Sequence, residues 1–225
     1  MKIANVTLGY TNKNILKDIN ITIEPGEFVF LIGGSGSGKT SFVKMLVGDL
    51  RPKKGDFYVS DDKNIYTLSQ KELLSYRRSI GVIFQDYKLL RSKTVRENVA
   101  FAMEVSGYKD AYIFKKIPEI LSRVGLLHKK ESFVETLSWW EAQRVAIARA
   151  LIHDPEIIIG DEPTGNLDPH NADEIMHLLL ELNKQGKTII IATHDDKIVN
   201  HLKKRVITFR DNAIFTDIAN GGYNL

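Results

Sequence analysis

Apolar and polar positions divide the chain into short buried runs that alternate with amphipathic stretches. Phe28-Val29-Phe30-Leu31-Ile32, Ile80-Gly81-Val82-Ile83-Phe84, Glu156-Ile157-Ile158-Ile159-Gly160 and Thr188-Ile189-Ile190-Ile191-Ala192 are apolar runs of strand length. Helical spacing marks Thr40 to Leu46, Ser69 to Arg78, Glu141 to Leu151 and Asp173 to Leu182. Such strands separated by helices predict an α/β fold with a mainly parallel sheet covered on both faces. Two regions depart from this alternation. The runs Ile3 to Leu8 and Ile15 to Ile23, joined by the polar turn Thr11-Asn12-Lys13-Asn14, predict paired strands, and Phe57-Tyr58-Val59 predicts another. From Thr94 to Leu127 the pattern is helical: Val95, Val99 and Met103 form one stripe, and Ile113, Ile117, Ile120, Leu121 and Val124 a second. Pro118 is expected to kink or restart the second of these helices. Strand signals resume afterwards without linker composition, so the helices read as a lobe inserted into one core. Val206 to Phe209 and Ala213 to Phe215 predict a final hairpin around Arg210-Asp211-Asn212.

Composition narrows the setting. With 225 residues, 43% hydrophobic and 26% charged, the chain can bury a substantial core and is not globally disordered. The absence of cysteine excludes disulfides, thiolate chemistry and a zinc ribbon. A formal charge of +3 is too small to imply nucleic acid, and Arg51-Pro52-Lys53-Lys54 and Arg77-Arg78 read first as solvated surface. No apolar stretch reaches the length of a secretory signal or a membrane span. The expectation is a cytoplasmic protein, soluble when expressed alone, unless a partner holds it at a membrane.

Candidate chemistry begins at Gly33-Gly34-Ser35-Gly36-Ser37-Gly38-Lys39-Thr40, which fits G-x-x-x-x-G-K-[ST] between a strand and a helix. Glycines there let backbone N–H groups face anionic oxygens, and the following helix adds its positive end. Lys39 is placed to reach the β and γ phosphates of a nucleotide, and Thr40 to put its hydroxyl on Mg²⁺. Further polar groups sit at strand ends. Asp161-Glu162 follows the Ile157–Ile159 run, where open α/β sheets bind ligands. Asp161 suits Mg²⁺, directly or through water, while Glu162 suits polarising an attacking water. His194 follows the next strand and can contact a γ phosphate or hold the water and glutamate in place. Gln85 ends the strand Val82-Ile83-Phe84, where its amide can contact Mg²⁺ or the lytic water.

The order and content of these motifs resemble the ATP-binding-cassette ATPase family over almost the whole chain. In that resemblance Gly33 to Thr40 is Walker A, Gln85 the Q-loop glutamine, Ile157 to Glu162 Walker B, Gly165-Asn166-Leu167-Asp168 the D-loop and His194 the H-loop residue. Tyr10 matches the aromatic that stacks on adenine. The resemblance implies a P-loop ATPase fold in one domain, 1–225. Within it an antiparallel β portion near 1–30 and 55–60 and a helical subdomain at 90–150 are implied. It also implies ATP, ADP and Mg²⁺ as ligands, and a head-to-tail homodimer with ATP held between Walker A of one subunit and the signature segment of the other. Phe84-Gln85-Asp86-Tyr87-Lys88-Leu89-Leu90, with Tyr76-Arg77-Arg78 and Val95-Arg96-Glu97-Asn98-Val99, resembles the cell-division branch of the family. That branch pairs with an FtsX-like transmembrane protein to control peptidoglycan hydrolases, which implies a place on the cytoplasmic face of the membrane. The partner is expected around Asp86 to Met103 and the helical lobe. Lipoprotein-release and macrolide-export ATPases share the same core.

The signature segment departs from the family. Leu137-Ser138-Trp139-Trp140-Glu141 has tryptophan where the family has two glycines. Ser138 and Glu141 keep capping-box spacing, so the helix is expected to start in the usual place. Two indoles where close backbone approach is needed are expected to impair the closed ATP sandwich and leave binding to one subunit intact. The pair is open to three readings: an engineered loss-of-signature substitution, natural divergence with a changed interface, or signalling through exposed tryptophans. ATP hydrolysis by an ATPase subunit and ATP binding with little turnover therefore both stand as functional readings.

Overall fold

The computed structural model describes residues 1–59 and 63–224. Residue 60 of the expected β portion and Leu225 lie outside the described residues. In chain order the elements are β1 (Lys2–Tyr10), β2 (Lys13–Thr22), β3 (Phe28–Ile32), α1 (Lys39–Leu46), β4 (Lys54–Tyr58), α2 (Gln70–Ser79), β5 (Ile80–Ile83), α3 (Val95–Glu104) and α4 (Asp110–Arg123). They continue with α5 (Trp139–Leu151), β6 (Ile157–Asp161), α6 (Pro169–Lys184), β7 (Thr188–Ala192), α7 (Asp196–Leu202), β8 (Arg205–Arg210) and β9 (Ala213–Ile218).

A six-stranded sheet of order β5-β6-β7-β3-β8-β9 forms the centre, parallel except for β9. Each face of β3 supplies a different core because strand side chains alternate. Phe28, Phe30 and Ile32 pack with the apolar sides of α3 to α7, while Val29 and Leu31 pack with α1 and the small sheet. That small antiparallel sheet has the order β2-β1-β4. Asn212 in the turn before β9 fastens it to the main sheet by donating to the carbonyls of Asn14 and Ile15 at 3.1 and 2.8 Å.

Helices α3 and α4 form a lobe against α5. Thr94 and Glu97 close a capping box at the start of α3. Buried Asn98 then accepts from Leu90 N–H at 2.7 Å and donates to Leu90 O at 3.0 Å, fixing the segment between β5 and the lobe. Helix α4 runs through Pro118 without the restart that is one of the two expectations there. Its buried stripe of Ile113, Ile117, Ile120 and Leu121 outweighs the one lost backbone bond. The strand before Gln85 ends at Ile83, not Phe84, and α6 begins at Pro169, capped by Asp168.

Candidate functional site

Strand order sets the location. β3 lies between β7 and β8, and the parallel strands β3, β7 and β6 bring their carboxyl ends side by side along the edge where open α/β sheets bind ligands. Register aligns Leu31 with Ala192 and Ala192 with Asp161. Gly33, His194 and Glu162 follow within two residues of these, so three stretches distant in sequence reach one edge.

The phosphate loop is built around two glycines that nothing else can replace. A Cβ on Gly33 would stand 2.4 Å from Phe209 O and 2.6 Å from Ser37 Oγ. Gly38 caps α1 in the left-handed region with φ 103°, and a Cβ there would lie 2.9 Å from Leu16 Cγ. No side chain caps α1 and no acid stands in its first turn, so its N–H groups remain available to an anion. Ser37 Oγ is likewise buried without a hydrogen-bond partner. Leu16 and Ile15 of β2 press against this loop, which sets the β1–β2 hairpin beside it. Tyr10 ends β1 in that hairpin and is 48% exposed, open to stacking.

Lys39 folds over its own loop, donating to Gly33 O at 2.6 Å and Gly34 O at 3.3 Å. Burial pulls its pKa down, and the carboxylates of Glu162 and Asp161 push it back up. Thr40 Oγ1 donates to Asp161 Oδ1 at 3.4 Å. Burial lifts the Asp161 pKa, the Thr40 hydrogen bond lowers it and neighbouring Glu162 raises it again. A carboxylate kept short of solvent this way gains from a bound cation. The Thr40 hydroxyl beside it completes a hard-oxygen pair of the kind that holds Mg²⁺ on a nucleotide.

Glu162 adopts φ 50°, a left-handed conformation that a glutamate takes at a cost of about 1–3 kcal/mol. Its N–H donates to Ala192 O at 2.8 Å, which holds the residue in that shape. Its side chain is 11% exposed and meets His194 Nδ1 at 2.8 Å. The exposed His194 therefore orients a carboxylate that faces the crevice.

Gln85 is not at the strand end itself but in a turn two residues beyond β5, exposed, and among the described residues none hydrogen-bonds to its amide. Ser138 caps α5: its N–H and Oγ donate to Glu141 Oε2, each at 2.9 Å, completing the capping box. Helix α5 packs on α3, α4 and β5, away from the phosphate loop of its own subunit. The two indoles differ from the expectation that both project. Trp139 is 66% exposed, but Trp140 is half-buried, with the Arg144 guanidinium 4.7 Å from its ring centre. One helical turn separates them, so the cation draws Trp140 back to the helix.

A model of the ABC transporter family matches residues 16–165, two thirds of the chain. The chain belongs to the ABC transporter ATPase family. Among relatives of this ABC ATPase is the cell division ATP-binding protein FtsE of Bacillus subtilis, 47% identical over 92% of this chain and 91% of that protein. The protein of the same name from Streptococcus pneumoniae is 44% identical over 99% of this chain and 97% of its own. A dimeric ATP-binding cassette in a post-hydrolysis state, bound to ADP and Pi, aligns with a TM-score of 0.88 at 33% identity, covering 99% of each chain. The family fixes the chemistry as ATP hydrolysis and the nucleotides as ATP and ADP, and the P-loop fold expected from the motifs is the fold observed.

Sequence reasoning passed over the groups that hold the site's outer loops. Buried Gln143 donates to Pro163 O at 2.5 Å, and Arg149 donates to Tyr87 O at 2.6 Å and Lys88 O at 2.5 Å. A glutamine and an arginine on an otherwise apolar helix face were the available signal. The basic clusters prove to be structural in part: Arg77 donates to Gly48 O at 3.0 Å and pairs with Asp49 at 2.9 Å. Among the described residues no helix is long and apolar enough to cross a membrane.

Proposed function

We propose that the chain is the ATP-hydrolysing subunit of an FtsEX-like complex, acting at the cytoplasmic face of the membrane on an FtsX-like transmembrane partner. The observation that carries the chemistry is the convergence of Lys39, Thr40, Asp161 and Glu162 at one sheet edge, with His194 on Glu162. The cell-division relatives support the physiological role. In this reading the phosphate loop and Lys39 bind the β and γ phosphates, Ser37 adds a hydroxyl, and Tyr10 stacks on adenine. Thr40, Asp161 and Gln85 would hold Mg²⁺, which neutralises charge on the phosphates. Glu162 orients water for attack on the γ phosphorus and takes up its proton, while His194 keeps the carboxylate aimed. The bond between the γ phosphorus and the β–γ bridging oxygen breaks as the water–phosphorus bond forms, and ADP leaves with that oxygen.

Ser138 acts in trans, on the nucleotide of a second copy in a head-to-tail dimer. Trp139 stands at that approach and weakens closure, which favours a second reading in which ATP binds with little turnover. The partner docks beside the helical lobe, where Leu90, Phe101 and Val105 are apolar and 38, 43 and 60% exposed. Co-expression with an FtsX-type membrane protein tests the role. Retention on the partner, lost in Leu90→Asp with Phe101→Asp, is the expected result. Retention on an exporter permease in its place would overturn it in favour of the lipoprotein-release or macrolide-export alternative.

A further inference from the structure

Tyr87 follows Gln85 by two residues, in the left-handed region with φ 58°, yet it is only 8% exposed. That conformation turns its ring from the Gln85 turn onto α5, where it packs on Ala142 and Ala146. Residues 139, 142 and 146 lie along one face of a helix, so Trp139 continues the same stripe. Its indole covers the outer side of Tyr87, with ring centres 6.0 Å apart and planes inclined by 54°. Arg149, farther along α5, holds the backbone carbonyls of Tyr87 and Lys88. The Gln85 turn is thus fastened to α5 by a ring, a guanidinium and an indole. The Tyr87 hydroxyl is buried with no hydrogen bond of ordinary geometry. Asn166, in the loop after β6, approaches it: burial raises the Tyr87 pKa and hydrogen bonding by the Asn166 side chain lowers it.

We propose that Tyr87, clamped by Trp139, is a positioning residue that couples the Gln85 turn to the signature helix within one subunit. Nucleotide occupancy sensed at Gln85 then moves Ser138 through this aromatic contact. Small residues at 139 and 140 would leave Tyr87 uncovered at its outer side. Trp139 therefore gives this chain an internal latch at the same position where it obstructs a second subunit. The proposal rests on the reading that Gln85 contacts the nucleotide complex.

Trp139 and Trp140 are the only tryptophans, so Trp140→Phe leaves Trp139 as a single fluorophore. In that background, acrylamide quenching of Trp139 is measured with and without MgATP, alongside calorimetric ATP binding. MgATP is expected to change the quenching. Tyr87→Leu, which keeps an apolar side chain on Ala142 and Ala146, is expected to abolish the change while ATP affinity is retained, and Tyr87→Phe to preserve it. Gln85→Ala is expected to abolish it as well. An unchanged response in Tyr87→Leu, or an unresponsive Trp139 in a protein that binds ATP, overturns the proposal. A response lost in Tyr87→Leu but intact in Gln85→Ala overturns instead the assignment of Gln85 as the sensor, and leaves the Tyr87 coupling supported. Circular dichroism of each variant separates these outcomes from misfolding.

Discussion

Substituting alanine at each of two adjacent glycines tests whether the phosphate loop is shaped as described. At Gly33 the added Cβ would meet a backbone oxygen, Phe209 O, at 2.4 Å, and the residue holds φ 150°. A backbone neighbour cannot swing away, so the loop or β8 must shift. Overpacking of this kind costs about 1–3 kcal/mol. The unfavourable backbone conformation adds about 1–3 kcal/mol. At Gly34 the added methyl meets nothing within 4 Å and φ is ordinary. That change is expected to stay within about 0.5 kcal/mol. For a chain of this size each kcal/mol moves Tm by about 2–4 °C, so Gly33→Ala should lower it by about 4–24 °C and Gly34→Ala by about 2 °C or less. Nucleotide-free thermal unfolding followed by circular dichroism measures both. Equal shifts in the two variants, or a Gly33→Ala protein as stable as the parent, would refute the close approach of Gly33 to β8.

Three further outcomes follow from other parts of the site. Ser138→Ala removes the cap of α5 and should lower stability by about 1 kcal/mol, read as a lower urea midpoint with an unchanged slope. Burial holds the Asp161 pKa above its ordinary value, so the folded chain binds that proton more tightly than the unfolded chain does. Nucleotide-free stability should therefore fall as pH rises from the ordinary carboxylate range through the raised value. Asp161→Asn should remove that part of the slope, exceed the parent in stability at neutral pH and lose the stabilisation that MgATP gives, all measurable by guanidinium unfolding across pH. Glu162→Gln should reduce phosphate release by about 10²–10⁴-fold with ATP affinity retained, as removal of a positioned base would; equal losses of binding and turnover would count against that role.

Much of this architecture is legible in the residues because local rules and tertiary demands coincide there. The phosphate loop combines glycine spacing with an apolar strand before it and a helical stripe after it. Asp161 and Glu162 stand out because paired acids end a fully apolar run. Legibility falters where long-range packing decides. Pro118 marks a break in local terms, but the buried face of α4 carries the helix through. Helix α7, seven residues long, has too few periodic positions to announce itself. Arg149 and Gln143 look like ordinary polar residues until α5 is seen to hold the carbonyls of two separate loops. The contrast between Trp139 and Trp140 depends on Arg144, one turn away, and on Tyr87, brought in from the turn after β5. Neither partner is implied by the spacing of the pair itself.

In the proposed function one subunit binds ATP through an intact phosphate loop while the indole at position 139 limits assembly of the two-subunit site. ATP affinity and steady-state phosphate release, measured together on this chain and on Trp139→Gly with Trp140→Gly, test it most directly. The expected result is similar ATP affinity in both and faster phosphate release in the glycine protein. Phosphate release that is equally fast in both, with and without the membrane partner, would contradict it.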